Sequence, residues 1–471
     1  MDGFEAIFSQ ARMAFKQERV FKKALELAKN TLLTLGKRTI TGMLSTGGKM
    51  FQDWSAAYRL FEKERINQEA LFAPAIRRIL KTIDIEAPLF TMMDDTLIRK
   101  RGRKVSGANW KRDPLGPAFH TNFVWGQRYL QISAALPDQD VDGRARGVPI
   151  DFYHAPSPMK PRKNAALEDW EEYKQQQQKH KVSAVGVSRL AALRGQIPDR
   201  KIVCAVDGGF TNKEVFQSIP ENTVIIGRIR KDASLFKVPG TSDGLSRGRK
   251  RYYGEPLPTP EQIRQNETIP WQKVTAFAAG KSHEFEVKVM TPVRWKSSKS
   301  MDMLVVIVRP LAYRPRKGAK LNYRDPAYLI CSDPQLPLGQ LVQAYLWRWE
   351  IELNFRDEKT VIGVGEAQVR TPAAVKSVPG FVVALYAFLL LAAHEAKINS
   401  TSLASPKWNP KKPLDRCTTQ NILSLFRVHF WGLNNDMNKS RFVLKSTKSV
   451  DSRTHFYSST SPDAAIIYAT K

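Results

Sequence analysis

The chain has 471 residues, and its 74 Lys and Arg residues outnumber 45 Asp and Glu residues, which leaves a formal net charge of +29 at pH 7. This excess indicates a polyanionic partner, and because the basic clusters are interleaved with Trp and Tyr, it favours nucleic acid over a membrane surface. The three cysteines, Cys204, Cys331 and Cys417, form no CxxC motif and cannot all pair, which excludes a disulfide framework or a zinc ribbon and indicates a reducing cytoplasm.

Residues 1–85 predict an N-terminal helical domain. Leucines at helical spacing are followed by a Thr- and Gly-containing turn, KRTITG, at 37–42, and then by a further helical stretch at 54–66. Short helices with such a turn and basic flanks are typical of a helical DNA-binding domain. A small helical bundle without DNA contact is the alternative, because Lys37 and Arg38 also fit an ordinary solvated surface.

Residues 86–230 alternate between strand-like and helix-like patterns. The strand candidates are short and apolar, and the helix candidates are longer and carry charge on one side. In chain order, the expected elements are a strand at 87–95, a strand at 128–136, a long helix over 164–194, a buried strand at 201–208, a helix begun by a capping box at 211–214, and a strand at 224–230.

Beyond residue 230 the composition changes three times. Pro, Gly and basic residues separate short β-rich pieces over 231–337, which predicts an inserted β-rich module. Residues 338–398 return to helix, and the apolar run at 381–393 predicts a buried helix, because about 13 residues are fewer than the roughly 20 of a membrane span. The C-terminal region, residues 399–471, is basic, rich in Ser and Thr and shows little periodicity.

This order of elements predicts an α/β fold with an RNase H-like core in two parts, interrupted by the β-rich insertion. In such a core, Asp95 at the end of the first strand, Asp207 at the end of the buried strand and Glu352 on the late helix come together. Clustered carboxylates bind hard divalent cations, and two Mg²⁺ or Mn²⁺ ions about 3.5–4 Å apart catalyse phosphodiester cleavage. We therefore predict that these three acids are catalytic residues and metal ligands.

The first of these acids has a competitor in the neighbouring residue, Asp94. Side chains alternate along a strand, so only one of Asp94 and Asp95 can face the cluster. The periodicity does not choose between the two.

The helix predicted around Glu352 carries a narrow polar stripe. At about 100° per residue, Tyr345, Arg348, Glu352 and Lys359 fall within an arc of about 60°. One carboxylate among two cations and a phenol suits a phosphodiester, because the acid can take a metal ion and the cations can take phosphate. The alternative is an ordinary surface ion pair between Arg348 and Glu352, four residues apart.

The spacing of these four residues, Tyr-x2-Arg-x3-Glu-x6-Lys, resembles the YREK signature of cut-and-paste insertion-sequence DDE transposases. The resemblance covers most of the chain from about residue 35 to 395, although only the motifs are specific. The other similar stretches are LGKRTITGMLS near the N-terminus, DDT at 94–96, AVDGGFTN at 205–212 and VIGVGEAQVRT after the signature.

The resemblance implies a role for each motif residue. It makes Asp95, directly before Thr96, the first acid, with Asp207 and Glu352 as the second and third. It also implies that Tyr345, Arg348 and Lys359 contact DNA phosphates near the cleaved end, and that a homodimer acts on paired transposon ends. The sequence departs from many relatives at Gly208 and Gly209, where a charged or bulkier residue is common, and this puts the local hydrogen bonding in doubt.

Further DNA contacts are predicted from basic clusters mixed with aromatic residues, at 99–104, 246–253, 294–296 and 313–320. In these clusters Lys100, Arg101 and Arg294 are candidates to neutralise phosphates. Trp295 is a candidate to stack on an unpaired base at a cut end, and a tryptophan of the core or surface is the alternative.

Together, these patterns predict a transposase that cleaves double-stranded DNA at transposon ends and inserts the ends into target DNA. It is expected to work in the bacterial cytoplasm, at the nucleoid, with no membrane association. Two alternatives stay open: a nuclease or resolvase of the same fold without strand transfer, and a domesticated DNA-binding protein without catalysis.

Overall fold

The computed structural model describes residues 2–398, except 52, 114–115, 118, 241–250, 315 and 317, together with residues 416–434. The helices are α1 (Asp2–Ser9), α2 (Glu18–Leu33), α3 (Ile40–Thr46), α4 (Ser55–Glu62), α5 (Gln68–Thr82), α6 (Leu167–Lys179), α7 (Val182–Gln196), α8 (Lys213–Phe216), α9 (Pro260–Gln265), α10 (Leu338–Trp347), α11 (Trp349–Asp357), α12 (Pro372–Glu395) and α13 (Thr419–Asn434). The strands are β1 (Leu89–Arg99), β2 (Asn109–Arg112), β3 (Phe123–Pro137), β4 (Ala145–His154), β5 (Ile202–Val206), β6 (Thr223–Arg228), β7 (Leu235–Phe236), β8 (Pro256–Leu257), β9 (Gln272–Ala278), β10 (Lys281–Trp295), β11 (Asp302–Val308), β12 (Ala312–Tyr313), β13 (Asn322–Tyr323) and β14 (Ala327–Cys331).

One large mixed sheet forms the centre of the described chain. β1, β3 and β4 are antiparallel neighbours, and β5 and β6 continue the sheet on the other side of β1, parallel to it. The apolar residues of β5 are all buried, as expected for a parallel strand covered on both faces. The mixed α/β fold predicted from the sequence is therefore confirmed.

The β-rich stretch after residue 230 extends this sheet. β14 pairs with β6 in antiparallel fashion, and β11, β10, β7 and β8 follow outward. The predicted β-rich module therefore continues the central sheet at the β6 edge, since its strands share hydrogen bonds with it. Two basic clusters of this stretch fall partly outside the described residues, at 246–250 and at 315 and 317.

The predicted long helix over 164–194 is two helices. α6 has no buried residue, whereas α7 buries Val185, Leu190 and Leu193. The helix is interrupted at His180, because only α7 packs against the core.

The N-terminal helices share a hydrophobic core with α12. Phe8 of α1 contacts the rings of Phe381 and Phe388 at centroid distances of 6.3 and 6.1 Å. Arg38, for which a solvated surface was the alternative to a DNA-binding role, is buried and donates to the carbonyl oxygen of Thr31 at 3.1 Å. Arg38 is therefore part of the packing between α2 and α3, whereas Lys37 is exposed.

A further helix, α13, closes this core from the C-terminal side. Residues 399–471 showed little periodicity in the sequence, and the helix within them was missed because Ile422, Leu423 and Phe426 are a short apolar pattern in a polar region. Arg427 donates to the carbonyl oxygens of Leu32 and Thr34 at 2.9 and 2.7 Å. Residues 399–415 and 435–471 lie outside the described residues.

Helix α12 is the most apolar helix of the described chain. By length and composition it could cross a membrane, but 94% of its apolar window is buried inside the protein. It is longer than the predicted run at 381–393, because Pro372 can begin a helix and Thr371 caps it. The prediction of a buried helix in this region is confirmed.

The surroundings of His154, at the end of β4, lead us to expect that the folded protein loses stability in acid. It is buried, its Nε2 atom has no hydrogen-bond partner, and burial together with nearby lysines lowers its pKa to about 4. Between pH 6.5 and 4 only the unfolded chain binds this proton, so stability falls as the pH falls through that window, by about 3 kcal/mol. We expect urea unfolding of a His154→Gln variant to lack this component relative to wild type. An equal pH dependence of the two proteins would contradict the assignment.

Candidate active site

Two adjacent strands bring acids together. The first strand was predicted to end at Asp95, but β1 continues to Arg99, so Asp94 and Asp95 lie in the middle of this strand. β1 and β5 are parallel, and Met93 pairs with Val206, so Asp94 and Asp207 follow at the next position on adjacent strands. Asp207 comes directly after β5, at the carboxyl end where parallel strands present their loops.

The helical segment α10–α11 covers one face of β1 at this point. Phe90 packs against the ring of Trp347, with centroids 5.4 Å apart, and Met92 packs with Ile351 and Phe355. Because alternate residues of a strand share a face, Asp94 lies on this covered face with Phe90 and Met92. Asp95 lies on the opposite face.

Arg348 links two acids on the covered face. Its Nη2 atom lies 2.9 Å from Glu352 Oε1, and its Nη1 atom lies 3.6 Å from Asp94 Oδ2. The side chain of Arg348 is only 16% exposed, so these contacts are not those of a freely solvated surface pair. The guanidinium therefore occupies the space between the aspartate on β1 and the glutamate on α11.

Asp95 has different surroundings. Its Oδ2 atom lies 3.2 Å from Arg128 Nε on β3. Burial raises the pKa of Asp95, while Arg128 and Lys111 act in the opposite direction. Asp95 therefore forms an ion pair with Arg128 of the neighbouring strand. Asp207 is also close enough to raise the pKa of Asp95.

Asp94 has a strongly altered acidity. Burial, and next the negative charge of Asp207, raise the pKa of Asp94 to about 7. The backbone N–H of Asp95 donates to Asp94 Oδ1 at 2.8 Å and partly offsets this effect. The carboxyl groups of Asp94 and Asp207 are thus held near one another, and the nearby positive charge does not fully offset their repulsion at neutral pH.

The loop after Asp207 is shaped around that carboxylate. Backbone N–H groups of Gly209 and Phe210 donate to Asp207 Oδ1 at 2.9 and 3.2 Å, and the Thr211 hydroxyl donates to the Asp207 carbonyl oxygen at 2.7 Å. A Cβ atom at Gly209 would lie 3.1 Å from Asp207 Oδ1, which explains why a small residue stands there. Asn212, and not the predicted Thr211, caps α8.

The remaining residues of the polar stripe lie on the same side. The Arg348 guanidinium lies 5.9 Å from the centre of the Tyr345 ring, and Lys359 Nζ donates to Thr96 Oγ1 at 2.6 Å. Arg348 lies at the junction of α10 and α11 with helical torsion angles, so the stripe continues across it. A π-helical turn at Glu358–Ile362 then carries Lys359 towards β1.

Buried hydrogen bonds fix α11 against the sheet. Asn354 accepts from the Ser133 hydroxyl at 2.9 Å and donates to the Gly147 carbonyl oxygen at 2.9 Å. A Cβ atom at Gly147 would lie 2.9 Å from Glu350 Cβ, so this close approach requires glycine. Asn354 was not predicted as a site residue, because an Asn within a helix gives no signal of its partners on β3 and β4.

The basic and aromatic residues predicted to bind DNA differ in their exposure and in their partners. Lys100 is 6% exposed, and its Nζ atom donates to the carbonyl oxygens of Gly365 and Ala367, so it is not presented to DNA. Arg101 is exposed. Arg294 is half-buried and pairs with Asp302 at 2.5 Å.

Trp295, the predicted stacking residue, is a core tryptophan. It is 8% exposed, and its ring contacts the ring of Phe216 edge-on at a centroid distance of 5.3 Å. Its low exposure leaves little ring surface for stacking on an unpaired base, although Trp295 lines a surface cavity.

The carboxylates on β1 and directly after β5 suit divalent cations, although they are not gathered into one cluster. Within the described residues, no group of three or more His, Cys, Asp or Glu side chains is close enough together to hold a metal ion. Asp94 and Asp207 nevertheless offer hard carboxylate oxygens, and their repulsion is what a divalent cation would relieve.

Residues 14–297, more than half of the chain, match the family model of the DDE superfamily endonucleases. The chain belongs to this family. The matched segment of this DDE superfamily endonuclease contains Asp94, Asp95 and Asp207, whereas α10 and α11 lie beyond it. None of the curated proteins compared with the chain matches it.

Membership of this family makes the chain a nuclease-type enzyme with DNA as its substrate. The predictions of a DNA partner and of an enzyme that cleaves DNA are confirmed at this level. Endonucleases of this superfamily generally use divalent metal ions, in agreement with the carboxylates on β1 and after β5.

Proposed function

We propose that this DDE superfamily endonuclease is a cut-and-paste transposase of the YREK-signature type, which cleaves DNA at transposon ends and joins the freed ends to target DNA. The observation that carries the proposal is the position of Arg348, in contact with both Asp94 and Glu352 beside the strand end that bears Asp207. An ordinary surface ion pair does not account for the participation of Asp94.

The strand order supports an RNase H-like core. Three antiparallel strands, β4, β3 and β1, are followed across the sheet by β5 and β6, which run parallel to β1. A helical connection, α6 and α7, joins β4 to β5. In this proposal β7 to β14 are the insertion between β6 and the helix that bears Glu352.

The proposed catalytic acids are Asp94, Asp207 and Glu352. Asp94 replaces Asp95 in this role because only Asp94 shares a face with Glu352 and contacts Arg348. These carboxylates would hold two Mg²⁺ or Mn²⁺ ions, which when bound activate the attacking oxygen and stabilise the leaving oxygen. The raised pKa of Asp94 fits this assignment, since burial and repulsion from Asp207 both disfavour its carboxylate without a cation.

Arg348, Tyr345 and Lys359 bind and orient the DNA backbone in this proposal. The Arg348 guanidinium offers paired donors that match a phosphate, and it exchanges its carboxylate partners for phosphate oxygens when DNA is bound. Tyr345 lies beside that guanidinium, and Thr96 holds Lys359 two residues along β1 from Asp94. By resemblance, a homodimer does this on paired ends at the bacterial nucleoid.

Product analysis tests the proposal. Purified protein is incubated with Mg²⁺, labelled duplexes that carry the inverted repeats flanking its gene, and a supercoiled target plasmid. We expect cleaved ends and labelled plasmid joined to them, and we expect EDTA to abolish both products. Cleavage without joined plasmid would show a nuclease without strand transfer, and DNA binding without either product would show a protein that only binds.

A further inference from the structure

A large basic cavity lies next to the proposed active site. It has a volume of about 950 Å³ and begins at Gly208 and Thr211, directly after Asp207. From there it runs past Arg228 at the end of β6 to Lys296, after the end of β10. The cavity therefore continues the acid-bearing edge of the sheet towards the β-rich strands. We call it the β6 cavity.

The charges that line the β6 cavity are predominantly positive. Five cations and three acids line it, an excess of two positive charges: Arg228, Arg230, Lys231, Arg264 and Lys296 against Asp232, Glu261 and Asp325. A concave surface of one sign concentrates its potential and attracts ions of the other sign.

Two of the three acids are already neutralised. Arg230 pairs with Asp232 at 3.0 Å, and Arg264 pairs with Glu261 at 2.6 Å. The Tyr328 hydroxyl also donates to Glu261. These contacts pair Arg230 and Arg264 with acids, and the other three cations of the cavity have no carboxylate partner among the described residues.

The three remaining cations are available to a ligand. Arg228, Lys231 and Lys296 are exposed and form no salt bridge with any acid that the structure describes. Within the part of the chain that the structure describes, the Arg228 side chain donates to the carbonyl oxygen of Pro326, at 3.5 Å. Burial raises the pKa of Tyr345, and the positive charge of Arg228 acts in the opposite direction, so the two side chains are near one another.

We propose that the β6 cavity binds the sugar-phosphate backbone of the DNA strand on one side of the scissile bond, with Arg228, Lys231 and Lys296 contacting its phosphates. The volume accommodates a nucleotide segment and exceeds what a single ion needs. This inference rests on the proposed function in one respect, the position of the scissile phosphate at Asp94 and Asp207.

The first test measures binding without metal, so that it does not depend on catalysis. The triple variant Arg228→Gln/Lys231→Gln/Lys296→Gln is compared with wild type in EDTA, on a duplex of the flanking inverted repeat and on an unrelated duplex. Each lost phosphate contact lowers the salt slope by about 0.9, so we expect the slope to fall by roughly 2 to 3. Affinity at about 0.1 M salt is expected to fall by about a hundredfold on both duplexes.

A matched variant controls for the loss of net charge. Lys163→Gln/Lys174→Gln/Lys179→Gln removes one exposed lysine before α6 and two on α6, a helix with no buried residue. We expect a nearly unchanged salt slope for this variant. Equal slopes for the β6 cavity variant and the α6 variant would overturn the proposal.

The second test locates the strand. The three native cysteines are buried, so a Lys231→Cys variant offers one accessible thiol for an iron-chelate cleavage reagent. We expect cuts within a few nucleotides of the cleaved end, and cuts spread evenly along the duplex would overturn the proposal. Loss of salt slope with localised cuts, but no joined product in Mg²⁺, would leave the β6 cavity assignment intact and remove the transposase proposal.

Discussion

Replacement of Asp94 by Asn is expected to reduce DNA cleavage at least about a thousandfold, equivalent to about 4 kcal/mol of activation free energy. The physical reason is the loss of a carboxylate that faces Asp207 and contacts Arg348. Initial rates of end cleavage in Mg²⁺ measure the effect. The melting temperature should not fall, because the variant removes a buried and electrostatically repelled charge.

The neighbouring residue supplies a matched control. Asp95→Asn removes the same charge one residue further along β1, on the other face of the sheet, where Arg128 is its partner. We expect this variant to keep at least about a tenth of the wild-type cleavage rate, since only the strength of a structural ion pair changes. The reverse order of activities would restore Asp95 as the first acid and reject Asp94.

Glu352→Gln is expected to have an effect on cleavage of similar size, at least about a thousandfold. Glutamine keeps the shape of the side chain and can still accept a hydrogen bond from Arg348, but it cannot supply a negative oxygen to a divalent cation. DNA affinity measured in EDTA should be unchanged or slightly higher, because Arg348 then has less competition for phosphate. Wild-type cleavage by Glu352→Gln would reject Glu352 as the third acid.

Glu350 provides the control on the same helix. Its Oε2 atom accepts from the Gly147 backbone N–H at 3.1 Å and from Arg416 at 3.0 Å, on the side of α11 that packs against β4. Glu350→Gln should lower the thermal stability, because a partly buried ion pair is lost, and should leave the metal dependence of cleavage unaltered. This pair of variants separates a chemical role in α11 from a structural one.

Packing restricts how the acids can be used. α11 is held to β3 and β4 by Asn354, while Arg348 joins the same helix to β1 through Asp94. The position of Glu352 relative to the strand ends is therefore set by buried hydrogen bonds as well as by apolar contacts. Changes at Asn354 would act on cleavage through the position of the helix.

Much of the fold followed from local patterns. Alternating and continuous apolar runs located the strands β1, β5 and β6, and the apolar stretch at 381–393 located the buried part of α12. Such patterns record only whether each residue is buried. They did not show that the β-rich strands after residue 230 extend the central sheet, because strand pairing between distant segments has no local signature.

The basic and aromatic residues show the same limit. A Lys or Trp in a basic cluster has the same sequence context whether it is exposed or buried. Lys100 donates to backbone carbonyl oxygens and Trp295 packs on Phe216, whereas Lys296, from the same cluster as Trp295, is exposed in the β6 cavity beside Arg228 and Lys231. Only the fold decides which cations remain without partners.

The sequence by itself determined the excess of positive charge, the acid that follows β5 and the polar stripe from Tyr345 to Lys359, because these are properties of composition and of local spacing. It placed Asp95 at a strand end, whereas β1 continues to Arg99. It also determined that Asp94 and Asp95 point to opposite faces of β1. Only the tertiary structure decided which of them meets Arg348 and Glu352. The answer depends on which face of β1 the helices cover. Phe90 and Met92 pack against α10 and α11, so the covered face is the one that bears Asp94.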